Sequence, residues 1–356
     1  MSRAERKIDH IHYALSTGQS RRTGLDHIQF VHQSLPGSSV KDISLSTEIG
    51  GLQWSSPIFV NAMTGGGGEV TARINTQLAE AAAACGIPMA VGSQMSALRH
   101  PEERATFKAA RKANPKGIMM ANIGAEASVE EARAVCEMIE ADILQIHLNI
   151  VQELVMPEGD RDFRGAVDRI ASICETVKVP VIVKETGFGI SAETARLLND
   201  LPLAAIDTAG FGGTNFAAVE NERAARPLAF FNSWGIPTAV SIVETLSGAP
   251  GRPVIASGGL QYADDVVKSL ALGASAAGLS GFLLNVLMTS GQEALVEHIE
   301  QMNADLKMMM CALGARSISH LHSVPLIISG ETCQWLQARG LKPERFALRT
   351  PVPFDS

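Results

Sequence analysis

The stretch "DILQIHLN" (Asp142–Asn149) sets the reading of the whole chain. Apolar and polar residues alternate along it, which gives a strand two unlike faces. It runs directly into "IVQELVMPEGDRDF" (Ile150–Phe163), where polar groups gather. Polar groups at the carboxyl end of a core strand are not needed to close a hydrophobic core. They mark either a solvated loop or a place where something is held.

The same unit recurs on both sides. Short apolar segments ending in small or polar residues occur at Pro57–Ala62, Met89–Ser93, Gly117–Ile123, Asp142–Asn149, Val179–Glu185, Ala204–Ala209, Pro253–Ser257 and Ala276–Ser280. Segments of helical composition lie between them. Thr71–Ala84 is rich in helix formers and stops before Gly86, and Ser128 with Glu131 three residues later makes a capping-box pattern. Ser191–Asn199 and Tyr262–Leu272 are further helices. Strand and helix in alternation imply parallel strands joined by right-handed crossovers. Eight such units predict an α/β fold of the (β/α)8 TIM-barrel type. An open doubly wound sheet fits less well, because "MTGGGGE" (Met63–Glu69) lacks the glycine spacing of a dinucleotide-binding loop.

Two additions flank the predicted barrel, which spans residues 57–290, and all three parts form one structural domain. Residues 1–56 are an N-terminal extension, with a hairpin in "ISLSTEIGGLQWSS" turning at Gly50-Gly51 and expected to plug the barrel bottom, with the role of the extreme N-terminus left open. Residues 291–356 are a helical tail, in which Leu295, Ile299, Met302, Leu306, Met309 and Leu313 recur at helical spacing and read as packing. The segment from Gly210 to Trp234 is long for a connection and reads as a lid or binding loop.

With 356 residues, 46% of them hydrophobic, the chain can bury a large core, and a net charge of −7 argues against a general nucleic-acid binder. The five cysteines are odd in number, widely spaced and without a CxxC pair. That pattern suits reduced thiols in a cytoplasmic protein, with no zinc site. Neither a signal peptide nor a membrane span is visible in the sequence.

In a barrel of this kind the active site is built on the loops after the strands. Gly258-Gly259 and Ser280-Gly281, after the seventh and eighth strands, have the composition of a phosphate cradle, although glycine there could merely make tight turns. Lys184, on the fifth strand, points inward if its neighbour Glu185 points out, and it then needs an anionic partner or an electron-rich cofactor edge. Thr64, Ser93, Asn122 and Thr214 offer hydrogen bonds to a flat heteroaromatic ring. Together these residues reach as far as a phosphate-bearing cofactor of the FMN kind. Glu153, with Asn149 and Gln152 close by, suits a hard cation such as Mg²⁺. Spacing alone favours a solvated loop glutamate, and it favours an ordinary charged tail at Arg6-Lys7. No cysteine pairs with a histidine by sequence as a nucleophile would.

In order, "RKIDHI" (Arg6–Ile11), "NAMTGG" (Asn61–Gly66), "VGSQ" (Val91–Gln94), "ANIGA" (Ala121–Ala125), "QIHLNIVQELVMPEGDRDF" (Gln145–Phe163), "PVIVKETGFGIS" (Pro180–Ser191), "GFGGTNFAAVE" (Gly210–Glu220) and "ASGGL" (Ala256–Leu260) resemble the type 2 isopentenyl-diphosphate isomerase family. The resemblance implies a (β/α)8 enzyme of isoprenoid synthesis that interconverts isopentenyl and dimethylallyl diphosphate. It also implies reduced FMN, Mg²⁺ and NADPH or NADH as reductant, with no net redox change, and assembly as a tetramer or larger. By the same resemblance, Arg6, Lys7, Ser93, Gln94, His147 and Asn149 surround the substrate diphosphate. Gln152 lines the substrate site and assists proton transfer, and Glu153 helps hold Mg²⁺. Ala62, Met63, Thr64, Ser93, Asn122, Lys184 and Thr214 contact FMN, with Gly258, Gly259, Ser280 and Gly281 around its phosphate. Two positions depart from the pattern: Met95 stands where members often have Arg, with Arg99 four residues on, and Ala209 stands where many have Ser.

The alternative is an FMN-dependent barrel oxidoreductase. A 2-hydroxy-acid oxidase requires a His base and an Arg clamp beside the flavin, and a dihydroorotate dehydrogenase requires a Cys or Ser base on a loop. No His and Arg pair follows the sixth or seventh strand, and the cysteines do not fall where such a base would stand.

Overall fold

The computed structural model describes residues 22–352. After β1 (Ile28–Phe30), strands β2 (Thr47–Ile49) and β3 (Leu52–Trp54) form an antiparallel hairpin. Its turn is made by Gly50 and Gly51 at φ of 62° and 79°, a left-handed pair that glycine adopts without strain. Eight strands follow: β4 (Ile58–Val60), β5 (Met89–Ala90), β6 (Met119–Gly124), β7 (Ile143–Leu148), β8 (Val181–Glu185), β9 (Ala205–Asp207), β10 (Val254–Ser257) and β11 (Ala276–Leu279). They are parallel and close on themselves through the pairing of β9 with β10 and of β11 with β4. Each coincides with one of the eight segments read from the sequence, so the TIM-barrel fold stands. A last strand, β12 (Leu326–Ile328), pairs antiparallel with β1 and ties the two ends of the described chain together.

The connecting helices begin and end where local chemistry dictates. Ser128 caps the helix Val129–Met138 with a reciprocal bond to Glu131, and Ser191 caps Ala192–Asn199. The helix Gly68–Cys85 stops at Gly86, which takes φ 65°. The long helix Gly281–Ala312 is broken at Gly291, and beyond the break Leu295, Ile299, Met302 and Leu306 are buried against the barrel's outer layer.

The barrel interior has two storeys. Phe59, Ala90, Met120, Ile143, Ile182, Ala205, Ile255 and Ala276, one from each strand, form an apolar cluster with Ile49 and Trp54 of the hairpin. Trp54 is 1% exposed and meets Phe59 edge-on at 5.3 Å. Two residues further along each strand, on the same face, come Asn61, Gly92, Asn122, Gln145, Lys184, Asp207, Ser257 and Gly278. The upper storey is therefore polar or glycine throughout, and it forms the floor of the site.

The segment between Gly210 and Trp234 is ordered by its own packing. It holds the helix Phe216–Asn221 and a short turn at Ala229–Ser233. Ala217, Phe216, Leu228 and Phe231 join Val155 and Phe188 in a satellite cluster, which fastens the segment to the helix Ile150–Val155.

Candidate functional site

A cavity of about 260 Å³ opens at the carboxyl ends of the strands. Its wall contains Ala62, Met63 and Thr64 after β4, Ser93 after β5, Asn122 on β6, His147 on β7, Gln152, Lys184 on β8, and Thr214. Gly258, Gly259, Ser280 and Gly281 complete it on the other side. Residues up to 220 positions apart in sequence (61 to 281) thus share one wall, as strand-end loops of a barrel must.

The glycines are required by space. A Cβ on Gly258 would lie 2.0 Å from the Gly210 carbonyl oxygen, and one on Gly213 would lie 2.7 Å from the Gly259 nitrogen. Gly258 and Gly259 also take φ of 103° and 80°. Bare backbone here faces the first turn of the helix at Gly281, the arrangement that receives a phosphate group. Behind the glycines, Thr23 packs within 2.7 Å of the same built Cβ positions at Gly212 and Gly259.

In the same wall, Lys184 is 6% exposed and its Nζ donates to the Glu185 carbonyl at 2.7 Å. Glu185 points the other way. Its Oε2 accepts from the backbone N–H groups of Gly187, Phe188 and Gly189 at 2.7, 2.5 and 3.2 Å, so it fixes the loop after β8. Burial pushes the Glu185 carboxyl up to about 7, against the pull of those donors and of Lys184. His147 is half-buried, and desolvation, with the Lys184 ammonium second, pushes its pKa down to about 3. The imidazole is neutral at neutral pH. Gln152 donates from Nε2 to Glu220 Oε1 at 3.1 Å, which leaves its carbonyl oxygen for the cavity.

Other expected residues are placed elsewhere. Gln94 does not face the cavity: it is wholly buried, its Oε1 accepting from the Asn122 backbone N–H at 3.0 Å and its Nε2 donating to the Val135 carbonyl at 3.1 Å. It lies behind the wall, where it anchors β6. Strand β5 has ended by this point, and Gln94 takes φ −90°, ψ 2° at the start of the helix Met95–Arg99, so the alternation that would aim it inward no longer holds. Asn149 and Glu153 lie outside the cavity wall. Asn149 Nδ2 donates to Glu153 Oε1 at 2.8 Å, and the Asp160 backbone N–H donates to Glu153 Oε2 at 2.8 Å. Glu126 stands near Glu153 and Asp160, and burial with their two charges raises its pKa. Met95 is buried and Arg99 exposed. Arg6 and Lys7 lie outside the described residues.

The five cysteines are unpaired, and none lines the cavity. Burial pushes the Cys136 thiol up to about 12 and those of Cys85 and Cys174 to about 11, which suits packing and not nucleophilic work.

Among known proteins, residues 7–100 and 94–327 match the model of the FMN-dependent dehydrogenase family. The chain is 55% identical over 349 residues to an isopentenyl-diphosphate delta-isomerase of Bacillus licheniformis, covering 98% of this chain and all of that one. It is 53% identical over 350 residues to the protein of the same name from Bacillus pumilus, with 98% and 99% covered. The chain belongs to the isopentenyl-diphosphate delta-isomerase family, of the FMN-dependent type. It is an isomerase on that footing. Among solved structures, a mandelate oxidase variant superposes with a TM-score of 0.64 at 16% identity, covering 92% of this chain and 98% of the other. An (S)-mandelate dehydrogenase chimera gives 0.61 at 16%, covering 91% and 99%. At that identity the likeness speaks for the barrel fold alone.

The family's cofactor fits what the cavity offers. Bare glycine backbone after β10 and β11 and a buried cation, Lys184, share one wall. Thr71, also in the wall and 1% exposed, has a hydroxyl without a hydrogen-bond partner. Thr71, Thr186 and Phe216 were not singled out by the sequence. Thr71 sits in a segment read only as a connecting helix, and Phe216 in the long segment after the sixth strand, where no single residue stands out. No helix among the described residues is long and apolar enough to cross a membrane.

Proposed function

We propose that this protein interconverts isopentenyl and dimethylallyl diphosphate with reduced FMN and Mg²⁺, taking electrons from NADPH or NADH, as a cytoplasmic homo-oligomer in isoprenoid synthesis. The observation that carries the proposal is one cavity holding a glycine phosphate cradle, a buried Lys184 and the carbonyl of Gln152, in a chain more than half identical to named isomerases. When bound and reduced, FMN supplies an electron-rich ring edge that can exchange a proton with carbon. Lys184 balances negative charge on that edge. Gln152, held by Glu220, would turn its oxygen toward the substrate and assist the proton transfer. The apolar storey below keeps water from entering beneath the reacting centre.

Arg6, Lys7, Ser93 and His147 are proposed to meet the diphosphate, with Asn149 at the rim. Among the described residues no group of three His, Cys, Asp or Glu side chains is arranged to hold a metal. Glu153 is therefore proposed to bind Mg²⁺ together with substrate phosphate oxygens, the usual mode for this ion. The acidic neighbourhood that raises Glu126 is consistent with a cation's place. Glu153→Gln should raise the Mg²⁺ needed for half-maximal rate at least about tenfold; an unchanged Mg²⁺ dependence would remove Glu153 from the metal site.

An oxidase reading has less behind it. Among the described residues the wall has no arginine to clamp a carboxylate substrate and no cysteine to act as a base. The deciding assay is anaerobic incubation with isopentenyl diphosphate, FMN, NADPH and Mg²⁺. The dimethylallyl isomer should form, and no conversion above a protein-free control would overturn the proposal.

A further inference from the structure

His147 stands at the end of a chain of side chains that crosses the barrel. Its Nδ1 lies 2.8 Å from Asn122 Oδ1. Asn122 Nδ2 donates to Gln145 Oε1 at 3.1 Å, Gln145 Nε2 to Asn61 Oδ1 at 3.2 Å, and Asn61 Nδ2 to Asp207 Oδ2 at 2.7 Å. None of the four residues behind His147 is more than 2% exposed.

The direction of every bond is forced from the far end. The Asp207 carboxylate accepts at both oxygens: from Asn61 at Oδ2, and at Oδ1 from the Ala209 backbone N–H at 3.2 Å and Ser257 Oγ at 2.5 Å. The Asn61 amide is pinned a second time, because the Ala62 backbone N–H donates to its Oδ1 at 2.8 Å. A backbone N–H can only donate, so Asn61 turns its oxygen toward Gln145 and its nitrogen toward Asp207. Gln145 must then give its nitrogen to Asn61 and its oxygen to Asn122. Asn122 repeats the step and shows its oxygen to His147. An oxygen there demands a donor, so Nδ1 carries the proton and Nε2 is bare.

We propose that Asp207 is a positioning residue of this site, acting through Asn61, Gln145 and Asn122 to lock His147 as its Nδ1–H tautomer and so present a bare imidazole nitrogen to the cavity. The proposal rests on the isomerase reading only for its chemical use. A locked acceptor receives an N–H, an O–H or developing positive charge, and it opposes a ligand's own acceptor face. Gln152 is set in the same sense, since its amide nitrogen donates to Glu220. A phosphate oxygen could bond His147 at Nε2 only after that nitrogen takes up a proton, and the Asp207 carboxylate would balance the charge through the chain.

The test is ¹⁵N NMR of FMN-loaded protein labelled at histidine, with His147 assigned by its loss in His147→Gln. The wild type should show one neutral tautomer, protonated at Nδ1. Gln145→Met cuts the chain midway. Asp207→Asn keeps the shape but cannot accept from both Asn61 and the Ala209 N–H. Both should give a mixture with the Nε2–H form and lower kcat by roughly 10- to 100-fold. Ser257→Ala, which removes one donor to Asp207 without cutting the chain, should leave the tautomer unchanged. An Nε2–H form in the wild type would overturn the proposal even if the variants fail to fold. An unchanged tautomer in both cut variants, or a shift in Ser257→Ala, would overturn it too. The spectra are taken without substrate, so failure of the isomerase assay would leave this result standing, and the reverse holds.

Discussion

The two storeys of the barrel interior are made by the same strands, two residues apart, yet they have opposite character. The lower one, from Phe59 to Ala276 with Ile49 and Trp54 beneath, is apolar and closed. The upper one, from Asn61 to Gly278, is polar or glycine and opens onto the cavity. Apolar burial stabilises the fold at about 25 cal/mol per Å², whereas buried amides and charges must find partners merely to avoid a penalty. The barrel concentrates its stability below and its chemistry above.

That division can be broken from either side. The largest effect is expected below: Phe59→Ala removes a wholly buried ring from the lower storey and should cost about 3–5 kcal/mol in urea unfolding, with the absorption spectrum of bound FMN little changed. A spectrum that shifts as much as the stability falls would mean the storeys are not separable. Next comes Gly258→Ala, which sets a methyl against the Gly210 carbonyl in a left-handed backbone. FMN affinity should fall at least about 100-fold, near 2.7 kcal/mol, as read by equilibrium dialysis. Unaltered affinity would detach the glycines from the phosphate.

A smaller effect tests the charges. The Glu185 carboxyl is raised from 4.5 to about 7, so its contribution to stability is fully present below pH 4.5 and is lost as pH rises through 7. Glu185→Gln should therefore gain on the wild type by roughly 1–3 kcal/mol between pH 4.5 and 8, and a pH-independent difference would refute it. His147, lowered from 6.5 to about 3, acts in the opposite sense: its contribution is present above pH 6.5 and is lost as pH falls toward 3. The smallest effect is expected at Thr71→Val. Removing an unpartnered buried hydroxyl should change cofactor-free stability by less than about 1 kcal/mol, and it should weaken FMN binding if that hydroxyl is a cofactor contact.

Much of this was legible beforehand. Alternation on strands, the Ser128–Glu131 and Ser191 caps and the Gly50-Gly51 turn are local signals, and each falls where the sequence sets it. That Gly258, Gly259, Gly281 and Lys184 meet in one cavity was also readable, because strand ends in a barrel converge whatever the loops contain. Local rules lost their hold where a strand stopped. Gln94 lies past the end of β5, and its turn aims it behind the wall.

By itself the sequence determined the eightfold unit, the side of each strand that faces inward and the family motifs, since these follow from period-two geometry and short-range capping. Only the tertiary structure decided which inward polar groups meet. Asn61 and Asp207, the two ends of one link in the chain that terminates at His147, are 146 positions apart. No local pattern encodes the direction of those hydrogen bonds. It is set by closure of the barrel, which brings a carboxylate, three amides and an imidazole out of water together and leaves each a single way to be satisfied.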